Sequence, residues 1–329
     1  MPRELSLAEV FQLGYYWETK ILLTAVKLDI FSALDGRGRT GAEAAGKIGA
    51  DLRALELLLN ALVAIRLLTK TGEVYANTPV AAANLVKHSS QYVGHLLLLH
   101  DAEWGNWGKL EEAVKSGHSP VTQHVFETDP ALGANVLSVL HRIGQQSGPD
   151  LAKRLVLSQA RTMLDLGGGA GTNAIAFCQV YPQLSATVFD LPTTLPLTER
   201  TVKEAGLEAR IALRAGDFNR DSLGGSYDVV LMSDILHYQD LATNAALVKK
   251  IHAHLNPGGR LVIKDRFLDA SGTSPAWTAA FAVHILVNTE RGACYRTAEA
   301  MQWMHDSGYE SVEEIERTAV AQGVRPGAG

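Results

Sequence analysis

The chain has 329 residues, of which 47% are hydrophobic and 20% charged. That is enough apolar side chain to bury one large core and one smaller one, so two domains are expected. A net charge of −5 and an isoelectric point near 6.1 provide no general attraction to nucleic acid or to anionic lipid. Two cysteines, Cys178 and Cys294, are too few for a disulfide scaffold and lack metal-ligand spacing, so no metal site is expected. The charged Met-Pro-Arg-Glu start has no apolar signal core, so secretion is not expected. The longest uncharged apolar run, residues 276–287 with His284 inside it, falls short of the ~20 residues that cross a bilayer. A cytoplasmic protein without a membrane partner is expected.

In chain order, apolar residues recur at helical spacing over residues 11–34, and Thr40-Gly41-Ala42-Glu43 is a capping box that opens a short helix. A further helix over 52–65 is capped by Asp51 and gathers Leu55, Leu58, Leu59, Leu62 and Val63 on one face. Residues 69–75 then read as a hairpin built on Thr71-Gly72. Three helices and a hairpin make a winged-helix layout, which raises the possibility of a DNA-binding regulator with a ligand-sensing C-terminal domain. Recognition helices carry polar and basic side chains into a groove. Here residues 51–66 hold Asp51, Arg53, Glu56 and Arg66, which cancel, on a body of leucine and alanine. The segment is built to be buried, and no nucleic-acid partner is expected. Helices expected over 90–155 carry Trp104, Trp107, Phe126 and His141.

The run Met163-Leu164-Asp165-Leu166-Gly167-Gly168-Gly169-Ala170-Gly171 reads as a buried strand, a tight glycine turn and a helix opening near Thr172. That is how an α/β sheet presents backbone to a nucleotide. The dinucleotide fingerprint needs glycine where Thr172 stands, which disfavours a nicotinamide cofactor. An acid ahead of the glycines suits an adenosine with a cationic tail, and S-adenosylmethionine is the candidate. Residues 186–190 form a second strand ending in Asp190, 19 positions after Gly171, near the ~20-residue offset of a ribose-binding carboxylate. Residues 211–218 read as a third strand ending in Gly216-Asp217-Phe218, an acid for an adenine amino group beside a ring that can stack on it. A fourth over 227–232 ends at the residues Ser233 to His237. Ligands bind at this edge of open parallel sheets.

Asp-Leu-Gly-Gly-Gly-Ala-Gly at 165–171, Val-Phe-Asp-Leu-Pro at 188–192, Gly-Asp-Phe at 216–218, Ile-Leu-His at 235–237 and Asn-Pro-Gly-Gly-Arg-Leu at 256–261 resemble the plant-type small-molecule O-methyltransferase family. That family includes caffeic acid, hydroxyindole and phenazine enzymes. The resemblance spans roughly 155–310 and extends to the N-terminal segment. It implies a winged-helix dimerisation domain over 1–95. Linking helices and a doubly wound, mostly parallel seven-stranded Rossmann-like α/β domain would follow over 96–329. It also implies a homodimer that moves a methyl group from S-adenosylmethionine to a hydroxyl of an aromatic or conjugated small molecule, leaving S-adenosylhomocysteine. Cofactor contacts are expected from Asp165, Gly167, Gly168, Gly169, Asp190, Leu191, Asp217, Phe218 and Ser233. The resembled family walls its acceptor pocket with the 90–155 region, which makes Trp107 and His141 candidate substrate contacts, joined by Asn288.

An activated methyl donor needs no acid, metal or covalent nucleophile, but a phenol with a pKa near 10 reacts far better as the phenolate. Histidine is the side chain suited to remove that proton at neutral pH. His237 matches the family's catalytic histidine, and Asp265, at the end of the fifth strand, matches the acid that holds it. The family's second acid, in a Lys-Glu-Arg-Thr run, is replaced by Tyr295 in Cys294-Tyr295-Arg296-Thr297. The usual His-Asp-Trp is altered to His237-Tyr238-Gln239, and Ser233 stands where plant members carry lysine. These departures point to a bacterial-type branch. C- or N-methylation of a ring system, and a non-catalytic ligand-binding regulator, stand as the alternatives.

Overall fold

Gly14 and Asp29 cut the apolar stretch at 11–34 into the helices Leu7–Leu13, Trp17–Lys27 and Ile30–Ala33. Asp29 adopts a left-handed conformation with φ of 57°, which a continuing right-handed helix cannot accommodate. These features come from a computed structural model that describes residues 4–121 and 125–327. The chain divides into two units, Met1–Trp104 and Gly105–Gly329.

In the first unit the expected capping box forms. Thr40 Oγ1 accepts the Glu43 N–H at 3.2 Å, and Glu43 Oε2 accepts the Thr40 N–H at 2.8 Å, opening the helix Gly41–Ile48. Asp51 Oδ1 accepts the Ala54 N–H at 2.8 Å and starts the helix Leu52–Ala64, which buries Leu55, Leu59 and Leu62 along one face, with Leu58 and Val63 half-buried beside them. Strands β1 (Arg39–Thr40), β2 (Leu68–Thr71) and β3 (Val74–Asn77) form a small antiparallel sheet in the order β1-β3-β2. Thr71 pairs with Val74, so the hairpin loop is Gly72-Glu73, one residue later than the expected Thr71-Gly72. Gly72 supplies the positive φ, 58°, that the turn needs. Phe31, Leu59, Leu62, Leu68 and Tyr75 meet in the core beneath the hairpin. The Leu7–Leu13 helix has no buried residue and exposes Leu7, Phe11 and Leu13, with Tyr15, Tyr16 and Trp17 exposed just after it.

The second unit is built on seven strands: β4 (Thr162–Leu166), β5 (Ser185–Asp190), β6 (Ile211–Ala215), β7 (Tyr227–Ser233), β8 (Leu255–Lys264), β9 (Glu310–Glu316) and β10 (Val320–Val324). Their order is β6-β5-β4-β7-β8-β10-β9; the first five run parallel, and β10 pairs antiparallel with both β8 and β9. The expected mostly parallel, doubly wound α/β sheet is therefore present. Side chains alternate across it. Leu164, Val230, Met232, Leu261 and Ile263 enter one core, while Met163, Val229, Leu231 and Val262 enter the other. Strands apolar on both faces are what a sheet covered by helices on each side requires. The chain reverses direction across the sheet between β4 and β7, so the carboxyl ends of these neighbours form the crevice at which such sheets bind ligands. Among the described residues no helix is long and apolar enough to cross a membrane.

Asp51→Ala removes the oxygen that satisfies Ala54 N–H and should cost about 1 kcal/mol of stability in urea unfolding. An unchanged midpoint would show that the cap carries no weight.

Candidate active site

Past the end of β4 the chain turns through Gly167 to Gly171, and the helix Thr172–Val180 begins. Gly167 N–H donates to Phe189 O at 2.8 Å, tying the loop to the neighbouring strand β5. Asp165, expected among the cofactor contacts, lies beneath this loop with no exposed surface. Its Oδ2 accepts the Ala174 N–H at 3.0 Å, a carboxylate at the positive end of the helix dipole. Its Oδ1 is buried with no partner among the described residues. Burial pushes the Asp165 carboxyl up to about 7. A Cβ on Gly168 would lie 2.7 Å from Asp165 Cγ, so only glycine lets the loop pass this close.

Asp190 ends β5 and braces the same loop from the side. Its Oδ2 accepts the Gly169 N–H at 2.8 Å and its Oδ1 the Leu191 N–H at 2.7 Å. Burial raises this carboxyl as well. Leu191, next in the chain, is exposed. After β6, Asp217 accepts the Asn219 N–H at 2.9 Å, and half-buried Phe218 lies against the glycine loop, its Cε1 3.4 Å from where a Gly167 Cβ would stand. Ser233 closes β7 and its hydroxyl donates to Asp234 Oδ2 at 2.9 Å. Gly167, Gly168, Gly169, Asp190, Leu191, Asp217, Phe218 and Ser233 thus share the carboxyl edge of the parallel strands. Of the two acids only Asp190 lies beside the glycine loop at the strand end, where its carboxyl can accept from a ligand, while Asp165 stays sealed beneath it.

On the other side of β7 the short helical turn Leu236–Tyr238 carries His237, which is 3% exposed. Its Nδ1 lies 2.7 Å from Asp265 Oδ1. Asp265 follows β8 and also accepts the Arg266 N–H at 2.7 Å and, through Oδ2, the Leu236 N–H at 2.9 Å. An ionised carboxylate only accepts, which assigns the proton to Nδ1 and leaves a lone pair on Nε2. Nε2 makes no hydrogen bond among the described residues. The turn itself is clamped. Buried Asn244 donates to Leu236 O and accepts from Gln239 Nε2, both at 3.0 Å. Gly292 approaches so closely that a Cβ there would stand 2.1 Å from His237 O.

Tyr295, at the position of the family's second acid, donates its hydroxyl to Gln239 O at 2.5 Å and packs edge-on against Trp303. Burial pushes its hydroxyl up to about 12. It holds the turn and makes no hydrogen bond to the His237 ring. Asp234, which sequence reasoning did not single out, is a second acid near His237, beside Asp265. Burial works to raise its carboxyl, but Lys264 at 2.5 Å and Arg266 at 2.6 Å, with a smaller contribution from His237, hold it below the usual range.

The helix Ala276–Asn288 contributes a row of rings that its apolar composition concealed. Phe281 meets His237 edge-on at 5.2 Å between centroids, Trp277 stacks on Phe281 at 5.0 Å and His284 stacks on it at 5.6 Å. Trp107 extends the row, 6.1 Å from His284. The i, i+4, i+7 spacing of Trp277, Phe281 and His284 was the signal available in the sequence. Asn288 is buried at the end of this helix, its amide engaged by Asn106 at 2.8 Å and by His284 O at 3.0 Å. His141 lies elsewhere. Its Nδ1 is 2.8 Å from Thr172 Oγ1 on the helix behind the loop, and it lines a cavity of about 290 Å³ with Gln145, Gln179 and Glu204.

Residues 107–310 match the O-methyltransferase domain family, and residues 11–87 match the O-methyltransferase dimerisation domain. The chain is 31% identical to the tetracenomycin polyketide synthesis 8-O-methyl transferase TcmO of Streptomyces glaucescens, over 93% of this chain and 91% of that one. It is also 31% identical to the 3-hydroxy-5-methyl-1-naphthoate 3-O-methyltransferase of Streptomyces sahachiroi, over 91% of this chain and 88% of that one. The solved structure of an O-methyltransferase family protein from Burkholderia thailandensis superposes with a TM-score of 0.88 at 28% identity, covering 99% of this chain and all of that one.

Because the folded-state pKa of Asp165 is raised, its contribution to stability is complete below about pH 4 and is lost as pH rises through about 7. Asp165→Asn keeps an acceptor for Ala174 N–H but cannot ionise. It should gain stability relative to the wild type between about pH 5 and about pH 8, seen as a widening gap in urea midpoints. Parallel pH profiles for the two proteins would refute the buried, protonatable carboxyl.

Proposed function

The chain belongs to the S-adenosylmethionine-dependent O-methyltransferase family, and on that premise we propose that it methylates a hydroxyl of an aromatic or conjugated small molecule with His237 as general base. The observation that carries this reading is the buried Asp265–His237 pair, with its unpaired Nε2, at the strand edge shared with the glycine loop.

When bound, S-adenosylmethionine supplies a methyl group already activated on a sulfonium. The backbone of Gly167, Gly168 and Gly169 would line its amino-acid side. Asp190 accepts from the Gly169 and Leu191 N–H groups and from the Thr194 side chain, and the two oxygens of a carboxylate offer about four lone-pair sites, which leaves room for a ribose hydroxyl. Asp217, Phe218, Leu191 and Ser233 would surround the adenine. Asp165 acts one layer below as a positioning residue, holding the loop through the helix it caps.

His237 receives the hydroxyl proton on Nε2. The imidazolium that results keeps its Nδ1 proton directed at Asp265, which stays ionised and stabilises the new charge. Asp265 is itself satisfied by two backbone N–H groups, so its geometry does not depend on the state of the ring. The row of Trp277, Phe281 and His284, with Trp107 beyond it, suits a flat acceptor laid against Phe281 so that its oxygen meets His237. Reactivity then follows from alignment, since an in-line displacement gains most from holding the two reacting atoms in place. The naphthoate and polyketide relatives support an acceptor of this kind.

The exposed Leu7, Phe11, Leu13 and Trp17, together with the dimerisation-domain match, support a homodimer in which a second copy covers them.

Incubation with methyl-labelled S-adenosylmethionine and a metabolite extract, followed by mass spectrometry, should yield a labelled methyl ether. Label on carbon or nitrogen would move the acceptor assignment. With the product known, His237→Ala should lower turnover by about 10²-fold or more. Its affinity for S-adenosylhomocysteine should stay within a few-fold of wild type. Turnover near the wild-type rate would remove His237 from the chemistry.

A further inference from the structure

Arg266 follows Asp265 and carries its guanidinium over two of the rings just described, 5.2 Å from the Trp277 centroid and 4.9 Å from that of Phe281. One of its N–H groups is used: Nη1 donates to Asp234 Oδ1 at 2.6 Å. The remaining donors of the fork have no acceptor among the described residues, and the side chain is 36% exposed. Asp234 does not need Arg266 for neutralisation, because Lys264 Nζ already lies 2.5 Å from its Oδ2. Arg266 is therefore not committed to Asp234 alone, and the rest of its fork is open to a ligand.

The location of the guanidinium matters. Phe281 has the guanidinium over its ring at 4.9 Å and meets the His237 ring at 5.2 Å with the two planes 81° apart. A flat acceptor lying along Trp277 and Phe281 with a hydroxyl at His237 would carry its other ring substituents past Arg266. A guanidinium resting on aromatic faces is held in orientation and is only weakly hydrated, so it gives up little on meeting a ligand. Its planar fork matches a carboxylate in two parallel hydrogen bonds.

We infer that Arg266 is a specificity-determining residue that reads a carboxylate on the acceptor, making the preferred substrate a hydroxylated aromatic acid rather than a neutral phenol. The inference rests on the assignment of the His237 side of the cleft to the acceptor.

The test uses 6-hydroxy-2-naphthoate and 6-hydroxy-2-naphthamide, which differ in charge but hardly in shape. Their binding to the full chain is measured by titration calorimetry with saturating S-adenosylhomocysteine. The wild type should bind the carboxylate at least ~10-fold more tightly than the carboxamide, the size of effect a charge-assisted pair supplies. Arg266→Gln should bring that ratio close to one, and Arg266→Lys, which keeps the charge but loses the fork, should restore part of it. A merely structural arginine would weaken both probes alike and leave the ratio in place. The ratio in the wild type is decisive even where the glutamine variant fails to fold. A wild-type ratio near one, a ratio that survives Arg266→Gln, or no binding of either probe at its solubility limit overturns the inference. S-adenosylhomocysteine affinity is read separately. Its loss in the wild type would instead strike the cofactor assignment on which the proposed function stands.

Discussion

The contact on which the site depends is the 2.7 Å hydrogen bond between His237 Nδ1 and Asp265. Its two members come from segments 28 residues apart, and neither could position the other without the sheet. Strands β7 and β8 pair in parallel with Ser233 opposite Lys264, and Asp234 N–H donates to Lys264 O at 2.8 Å just beyond them. That register brings the turn holding His237 beside the residue that leaves β8. Slipping the pair by one residue would turn every side chain of one strand to the other face. The apolar alternation of Val230 and Met232 against Val229 and Leu231 prevents it, because each pair already belongs to a different core. The large apolar packing of the sheet therefore sets the geometry of one polar contact.

Charge is distributed unevenly along the carboxyl edge of the sheet. At β4 and β5 two acids, Asp165 and Asp190, are held by backbone donors and raised by burial. Beyond β7 and β8, Asp234 is matched by Lys264 and Arg266, and Asp265 by His237 and two backbone N–H groups. On the function proposed above, the first side would receive the cationic methyl donor and the second the acceptor as it loses its proton. Charged groups fixed in this way by backbone donors and ion pairs need no movement to meet a ligand, which is the electrostatic advantage of a preorganised site.

The first unit uses the same physics for a different end. A helix–hairpin arrangement that reads winged-helix places Leu55, Leu59 and Leu62 inward, and its would-be recognition segment has no net charge. Its strongest unpartnered feature is apolar: the side chains exposed around the Leu7–Leu13 helix. Such a surface is costly to leave in water, and a protein partner covers it better than a phosphate backbone does.

Local rules made much of this legible from the sequence. Capping at Thr40 and Asp51, the strand and glycine turn at 163–171 and the acids ending the next strands follow from spacing that acts through backbone geometry over a few residues, whereas His237 and Asp265 were singled out by the family resemblance, and the fold places them 2.7 Å apart. What spacing left open was decided by packing between distant elements. Asp165 sits under the loop because the glycines let the chain close over it, and Tyr295 bonds Gln239 because the segment bearing it packs on the turn from beyond β8. His141 faces Thr172, while Trp277 and Phe281 face Arg266 and His237, because the rotation of each helix against its neighbours determines which side chains meet. Sequence pattern therefore determined which strands and turns exist and which residue types they carry. Strand register and helix rotation, set by burial over the whole fold, decided what each side chain meets.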